Sequence, residues 1–371
     1  MKKVCVVTSA RSEYGPIYWI LKALDNDADF QLQLLVGGSH LVKQQGLTYR
    51  LIERDGFTID KTIDYLKSTD SSTGLVKSMG RCLELIADAY DELEPNLVLV
   101  VGDRYELLPV CTAALIKRIP IAHISGGDIT EGAIDNSVRN AITMMADLHF
   151  PGNEDSANNI ARMINSSKNI FNVGESGLEN LERNKLLSRE SLALSLELNV
   201  NKDWLLCTLH PETRSSVQQS MVMARKFCEA LATKEESEII ITYANADLGG
   251  DEMNEYYESF CAKRQNFHLF KSLGQLRYNS IMKECTCVVG NSSSGVLEAP
   301  FLGKPVVNIG NRQKGRYMAK CVINVADYED GEIVTALDEA LHGCFSRDYY
   351  YGDGNVSKAV ITHLKEYFKI Q

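Results

Sequence analysis

The stretch Cys285-Thr286-Cys287-Val288-Val289-Gly290-Asn291-Ser292-Ser293-Ser294-Gly295-Val296-Leu297-Glu298-Ala299-Pro300 starts apolar, breaks into small residues and turns apolar again. Cys285 to Val289 reads as a buried strand. The Ser and Gly residues after it suit a helix N-cap, so the pattern predicts a helix opening through the turn. A strand, a small-residue turn and a helix N-terminus aim backbone N–H groups and a helix dipole at one point, where an anion can sit. Glu298 lies one turn further in, where a carboxylate can accept from the paired hydroxyls of a sugar. Together these features suit a nucleoside diphosphate, with phosphates at the turn and ribose against Glu298. An ordinary capped helix with a solvated Glu298 is the plainer alternative.

Working outward, short apolar runs alternate with amphipathic segments along the whole chain. Candidate strands are Val4–Val7, Leu32–Val36, Leu97–Val101, Ile119–Ile124, Leu205–Leu209, Ile239–Thr242, Val288–Val289, Val306–Ile309 and Val322–Val325. Helical patterns such as Leu75–Leu93 and Val217–Ala232 lie between them. This alternation predicts an α/β fold with parallel sheets, because parallel strands need crossover helices. The strands fall into two groups around a polar stretch, Gly177 to Lys202, that reads as a hinge. The expected organisation is a Rossmann-like domain over residues 1–180 and a second, nucleotide-binding one over 181–355. The last helix, within 356–371, is expected to fold back on the first domain. Ligands of such sheets bind beyond the carboxyl ends of the strands, here in a cleft between two domains.

The chain has 371 residues, enough for two domains of usual size. Hydrophobic residues make up 44% and charged residues 24%, the balance of a globular protein. The formal net charge is -10, without a basic cluster, which argues against nucleic acid or an anionic membrane as a partner. An anionic substrate must then be met by local cations and helix ends. Ten Cys occur without a CxxC pair and Met1-Lys2-Lys3 leads straight into a strand, which together point to reduced thiols and a cytoplasmic location. No apolar run approaches the roughly 18 residues of a membrane helix.

Five further motifs sit at strand ends. Ser9-Ala10-Arg11-Ser12-Glu13-Tyr14-Gly15-Pro16 is not GxGxxG, no such fingerprint occurs elsewhere, and no GxxxxGK[ST] is present. Arg11 instead offers a guanidinium that can grip phosphate in two places, or simply pairs with Glu13. Gly102-Asp103-Arg104-Tyr105-Glu106 puts Asp103 where a working carboxylate of an α/β protein stands, or where an Asp caps the next helix. His123-Ile124-Ser125-Gly126-Gly127-Asp128 is followed by Glu131, Asp135 and Arg139. Asp135 and Arg139 share one helix face and can form a plain ion pair. Several acids at neighbouring strand ends suit proton transfer better than packing. They are accompanied by no His cluster, so no metal site is read from them. His210-Pro211-Glu212-Thr213 ends the first strand of the second group; His210 suits a phosphate or acid/base role, or a structural one. Asn308 to Arg316 holds the densest cations of the chain beside the Ser-rich turn, Arg316 among them.

Taken in order, Thr8–Gly15, Gly102–Glu106, His123–Asp128, Asp135–Arg139, His210–Thr213, Ser272–Gly274, Gly290–Pro300 and Asn308–Arg316 resemble the UDP-N-acetylglucosamine 2-epimerase family, most closely its hydrolysing branch. The resemblance spans nearly the whole chain. It implies two Rossmann-like domains in a GT-B-like pair with the active site in the interdomain cleft. It implies no cofactor and a homodimer or homotetramer built through the first domain. The family pattern places Arg11, His210, Ser292, Ser293, Ser294 and Gly295 around the diphosphate and Glu298 at the ribose. Phe270 to Leu273, including Ser272, would offer backbone groups to uracil. Asp103, Asp135 and Arg139 match catalytic positions. One departure stands out: some relatives carry Glu where this chain has Ser125, which leaves Asp128 or Glu131 as substitutes.

The implied chemistry converts UDP-N-acetylglucosamine and water to N-acetylmannosamine and UDP, feeding nonulosonic acid synthesis. Loss of the C2 hydrogen and of UDP gives an unsaturated glycal; water then adds at C1 and a proton returns to C2 from the other face. Some hydrolysing relatives use a UDP-2,4-diacetamido-trideoxyhexose instead. A GT-B glycosyltransferase and a catalytically silent nucleotide-sugar sensor share the nucleotide half and are the remaining alternatives.

Overall fold

Two parallel sheets of six strands account for every apolar run named above. The structure is a computed structural model that describes residues 1–43, 46–66, 71–129, 134–212, 216–245, 249–329 and 331–370. The first sheet contains β1 (Lys2–Thr8), β2 (Phe30–Gly37), β3 (Lys61–Ile63), β4 (Leu97–Val101), β5 (Ile121–Ile124) and β6 (Leu148–Phe150). The second contains β7 (Asp203–Thr208), β8 (Ser237–Thr242), β9 (Phe267–Phe270), β10 (Cys287–Gly290), β11 (Val306–Ile309) and β12 (Val322–Val325). Their spatial orders are β3-β2-β1-β4-β5-β6 and β12-β11-β10-β7-β8-β9. Read from opposite edges these are one topology used twice, the doubly wound order of nucleotide-binding sheets.

The chain divides into two compact units, one of Met1–Glu182 with Gly352–Gln371 and one of Arg183–Tyr351. In the first unit β4 is buried along its full length, as a central parallel strand covered by helices on both faces must be. The Val356–Phe368 helix belongs to this unit: Val356, Val360 and Leu364 share a core with Ile17, Leu21 and Leu24 of the Arg11–Asp25 helix. Its start is fixed by the buried Glu179, which accepts from the Ser357 amide at 2.7 Å and from the Ser357 hydroxyl at 2.5 Å. The second unit packs its own core around Leu205, Phe227, Ile239 and Tyr257.

Three strands are absent from the apolar pattern: β3, β6 and β9. Each is an edge strand of three or four residues. Each carries a polar residue at its second position, Thr62, His149 or His268, so none opens on an apolar pair that would mark it in the sequence.

The helix predicted at the Ser-rich turn needs correcting. Ser293–Gly295 forms a single 3-10 turn, and a separate one-turn helix follows at Glu298–Phe301. Pro300 explains the break. It has no N–H for the Val296 carbonyl four residues back, and its ring would clash there. The anion-binding case therefore rests on individual N–H groups and hydroxyls at the turn rather than on a long helix dipole.

Among the described residues no helix is long and apolar enough to cross a membrane. Nine of the ten cysteines are buried, and Cys344 is exposed.

The first unit also carries three buried histidines, and they set its acid sensitivity. Burial holds His40, His123 and His149 each down to about 4. Each stays neutral when folded and gains a proton when unfolded below about 6.5, so its share of stability is full above that pH and lost as pH falls toward 4. At pH 5 each loses about 2 kcal/mol relative to pH 7. Glu13 acts in the opposite sense, because burial pushes its carboxyl up to about 7. The net loss is on the order of 4 kcal/mol. Trp19 lies in the first unit and Trp204 in the second. In a Trp204→Phe protein, the urea midpoint seen by Trp19 fluorescence should drop sharply between pH 7 and pH 5. A midpoint that stays level would show that these histidines are not held neutral.

Candidate active site

In the second unit the Ser-rich turn is built on a close approach of two strands. Gly290 has φ +134, and a Cβ there would lie 1.9 Å from the Thr208 carbonyl, so no other residue fits. The next residue, Asn291, is fully buried. Its Oδ1 accepts from the His210 amide at 2.7 Å and its Nδ2 donates to the His210 carbonyl at 2.9 Å. One side chain thus fixes the main chain of His210 in both directions. The Asn291 carbonyl in turn accepts from Gln313 Nε2 at 2.8 Å and Arg312 Nη1 at 3.2 Å, and Arg316 Nη1 donates to Gln313 Oε1 at 3.0 Å. The three motifs that hold His210, Ser292–Gly295 and Arg316 are therefore tied together through Asn291 and Gln313.

The His210 ring is oriented as well. Its Nδ1 accepts from the Asn245 amide at 3.0 Å, which in the neutral ring leaves the proton on Nε2. A donor on Nε2 suits an oxyanion. On the other side of the turn runs a chain of hydroxyls: Thr242 Oγ1 to Thr208 Oγ1 at 2.7 Å, Tyr278 to Ser294 Oγ at 2.7 Å, and Ser294 Oγ to Ser292 Oγ at 3.0 Å. Glu298 begins the short helix beside it and is close enough to raise the Tyr278 phenol, after the larger effect of burial. Glu212 Oε1 accepts from the Asn311 amide at 2.5 Å across Gly310, whose φ of +76 and absent Cβ let the carboxylate pass. Ser272 is exposed and its Oγ accepts from Gly274 at 3.2 Å; Leu273 is buried. The Phe270 carbonyl accepts from the Tyr243 amide at 3.0 Å, so one of the backbone groups assigned to uracil is already engaged.

In the first unit the structure brings Asp103 and Arg139 together. Arg139 lies on the Ile134–Met145 helix, is 4% exposed, pairs with the Asp103 carboxylate and donates from Nη1 to the Asp128 carbonyl at 2.7 Å. Asp103 thus meets Arg139 rather than serving only as a helix cap. Asp135 stands in the first turn of the same helix, partly buried. Asp128 is partly buried in the loop after β5. Glu131 and Thr213 lie outside the described residues. His123, the fully buried ring on β5, meets the Gly102 carbonyl through Nε2 at 2.8 Å and Thr143 Oγ1 through Nδ1 at 3.2 Å, which fixes the loop that presents Asp103.

The suggested pairing of Arg11 with Glu13 is not found. Glu13 turns inward, 5% exposed, and Oε2 accepts from the amides of Ser9 at 2.6 Å and Ala10 at 3.0 Å. Arg104 lies 4.0 Å from its other oxygen and 2.6 Å from Glu106. Arg11 is left exposed at the first position of its helix, where it lines a cavity of about 410 Å³ with Thr48, Arg50 and Arg54. The cavity is cationic in a chain that is net acidic, so it suits an anion.

No cluster of three or more metal-ligating side chains occurs among the described residues. What the two halves hold is an oxyanion-type donor set in the second unit and carboxylates with one buried cation in the first. Comparison with known proteins gives this set its context. The profile of the UDP-N-acetylglucosamine 2-epimerase family matches residues 22–365. The chain belongs to this family. A GDP/UDP-N,N'-diacetylbacillosamine 2-epimerase (hydrolyzing) of Campylobacter jejuni is 35% identical over 94% of this chain and 88% of its own. The polysialic acid biosynthesis protein P7 of Escherichia coli is 33% identical over 88% of this chain and 83% of its own. The fold matches the crystal structure of UDP-GlcNAc 2-epimerase from Neisseria meningitidis bound to UDP-GlcNAc, with a TM-score of 0.80 at 18% identity, over 98% of this chain and 100% of that one.

Several residues that fix these loops were not singled out in the sequence: Asn291, Tyr278, Gln313 and His123. Only Asn291 carried a local signal, as a polar residue locked between Gly290 and the serines. The others reach the site through contacts with no counterpart in spacing.

The Asn291 clamp makes a testable demand on His210. Two-bond ¹H–¹⁵N spectra of the histidine-labelled protein near pH 8 should show the His210 proton on Nε2. Asn291→Ala should dissolve that single tautomer into an exchanging pair while the buried His123 signal stays put. An unaltered His210 pattern in the variant would rule out the clamp.

Proposed function

We propose that this chain is a hydrolysing 2-epimerase of a UDP-linked 2-acetamido hexose. The observation that carries the reading is the family match over nearly the whole chain, with a hydrolysing relative at 35% identity. The site geometry supports it. The C2 hydrogen of such a sugar is weakly acidic and UDP at C1 is a good leaving group. In the second unit, His210 Nε2–H, the Ser292 and Ser293 amides, the serine hydroxyls of the turn and Arg316 supply donors for charge that grows on the departing diphosphate. Glu298 accepts from the ribose hydroxyls. In the first unit, Arg11 offers a further cation, and Asp103, Asp128 and Asp135 are the described carboxylates for proton traffic at C2. Elimination gives the glycal and UDP. Water then adds at C1, a proton adds at C2 from the opposite face, and the inverted free sugar leaves.

Two sugars fit this chemistry. UDP-N-acetylglucosamine would give N-acetylmannosamine and UDP. The name of the 35%-identical relative favours the second, a UDP-2,4-diacetamido-trideoxyhexose. Side-by-side kcat/KM values on both sugars, with products identified by NMR, decide between them. A free 2-epimerised sugar plus UDP is the expected product of at least one. Binding of both sugars without turnover would reduce the protein to a sensor and end the enzymatic reading.

Two variants test the assigned roles. Glu298→Gln keeps size but loses the charge that accepts from ribose; charge-assisted bonds contribute roughly 1.5–3 kcal/mol, so UDP affinity should fall about tenfold or more in calorimetry, with folding intact. Unchanged affinity would remove Glu298 from the ribose. Asp103→Asn should cut turnover roughly 10²-fold or more while UDP still binds. In D₂O the released sugar should carry deuterium at C2, and Asp103→Asn turning over normally would shift proton transfer to another carboxylate.

A further inference from the structure

Ser125 is the position where proton transfer looked weakest, because a lone hydroxyl is neither acid nor base near neutral pH. Ser125 Oγ donates to Glu175 Oε2 at 3.0 Å, across 50 residues of sequence. We infer that Ser125 and Glu175 act as one proton-transfer pair at the sugar C2, with Glu175 working through the Ser125 hydroxyl. The inference rests on the epimerase reading above and adds a residue to it.

Three observations carry it. The first is place. Ser125 directly follows β5, and Gly102-Asp103 directly follows β4, its neighbour in the sheet. The Gly102 amide donates to the Ile124 carbonyl at 3.0 Å, so Ser125 and Asp103 leave the same end of the sheet side by side. That end is where ligands of doubly wound sheets bind. The second is strain. Ser125 has φ +59, in the left-handed region that non-glycine residues avoid. Such strain costs on the order of 1 kcal/mol or more and gathers at working sites. The third is a seat made for Glu175. A Cβ on Gly152 would lie 2.0 Å from Glu175 Oε1, so the space over Gly152 is kept open for this carboxylate.

The neighbours sharpen the assignment. His123, the other polar group of β5, is fully buried and has both ring nitrogens engaged by Gly102 and Thr143. Asp103 is held by Arg139 at the neighbouring strand end, where it serves the other proton step at C2. The C2–H bond breaks and its electron pair becomes the C1=C2 bond of the glycal. The C1–O bond breaks and its pair leaves with UDP. The C2 proton passes to Ser125 Oγ while the Ser125 hydroxyl proton passes to the Glu175 carboxylate. Glu175 is the positioning and accepting partner; Ser125 is the group that meets the sugar.

The test is a double-mutant cycle on the full-length enzyme, read by UDP release and by C2 deuterium content in D₂O. Glu175→Gln and Ser125→Ala should each lower kcat about 10²-fold, with UDP affinity within about twofold of wild type. The double variant should be no slower than either single one, as for residues that act as a unit. Ser125→Glu in the Glu175→Gln background should restore at least about tenfold, by putting a carboxylate back at the sheet end. A purely structural Glu175 would not be rescued this way. If Glu175→Gln fails to fold, Ser125→Ala, which removes one hydroxyl, decides alone. Single variants within about threefold of wild type, or losses that multiply in the double variant, overturn the pair and leave the epimerase reading standing. A wild-type enzyme that releases UDP from neither sugar overturns both.

Discussion

Asn291 holds the loops at the strand ends of the second unit together. It is buried, with its side chain bonded to both main-chain groups of His210, its carbonyl to Gln313 and Arg312, and its amide to the Thr208 carbonyl at 3.1 Å. A buried polar group is costly to leave unpaired, so this network permits one arrangement of three loops and disfavours others. The turn that follows Asn291, the ring that Asn291 orients and the cationic loop it anchors are each ordinary alone. Their alignment depends on this one side chain. Gly290 makes it possible by letting the strand end touch Thr208.

The first unit solves a matching problem with charge. Its loops after β1, β4 and β5 carry Arg11, Asp103 and Ser125, and each is steadied by a buried polar group behind it. Glu13 holds the amides before Arg11, His123 holds Gly102, and Arg139 joins Asp103 to the Asp128 main chain. None of these supports needs to meet substrate. They convert flexible strand-end loops into a fixed constellation, the condition under which proton transfer and charge stabilisation are effective. Of these supports, His123 is held neutral by its burial.

The corrections share one cause. Arg11 with Glu13, Asp103 as a helix cap and a helix through Ser292–Gly295 were all local readings, each sensible by spacing alone. In the folded chain Glu13 prefers its own helix's unpaired amides, because a carboxylate at the third position can reach back to them. Asp103 prefers a buried guanidinium 36 residues away, because a nearly buried Arg139 requires an anion. The helix breaks because Pro300 is incompatible with the turn before it.

By itself the sequence determined the architecture and the addresses of the site. Apolar runs set between helical patterns read as parallel strands, so β4, β11 and β12 were legible to the residue, and the motifs at their ends followed. β3, β6 and β9 were not, since a polar second residue in so short a strand leaves no apolar run to read. Tertiary structure alone decided which addresses meet. Asn291 on His210, Tyr278 on Ser294 and Glu175 on Ser125 join residues 81, 16 and 50 positions apart. No periodicity encodes such pairs. They arise because the sheet brings distant loops to one end, and because each polar group buried there must find whichever partner the fold has carried within reach.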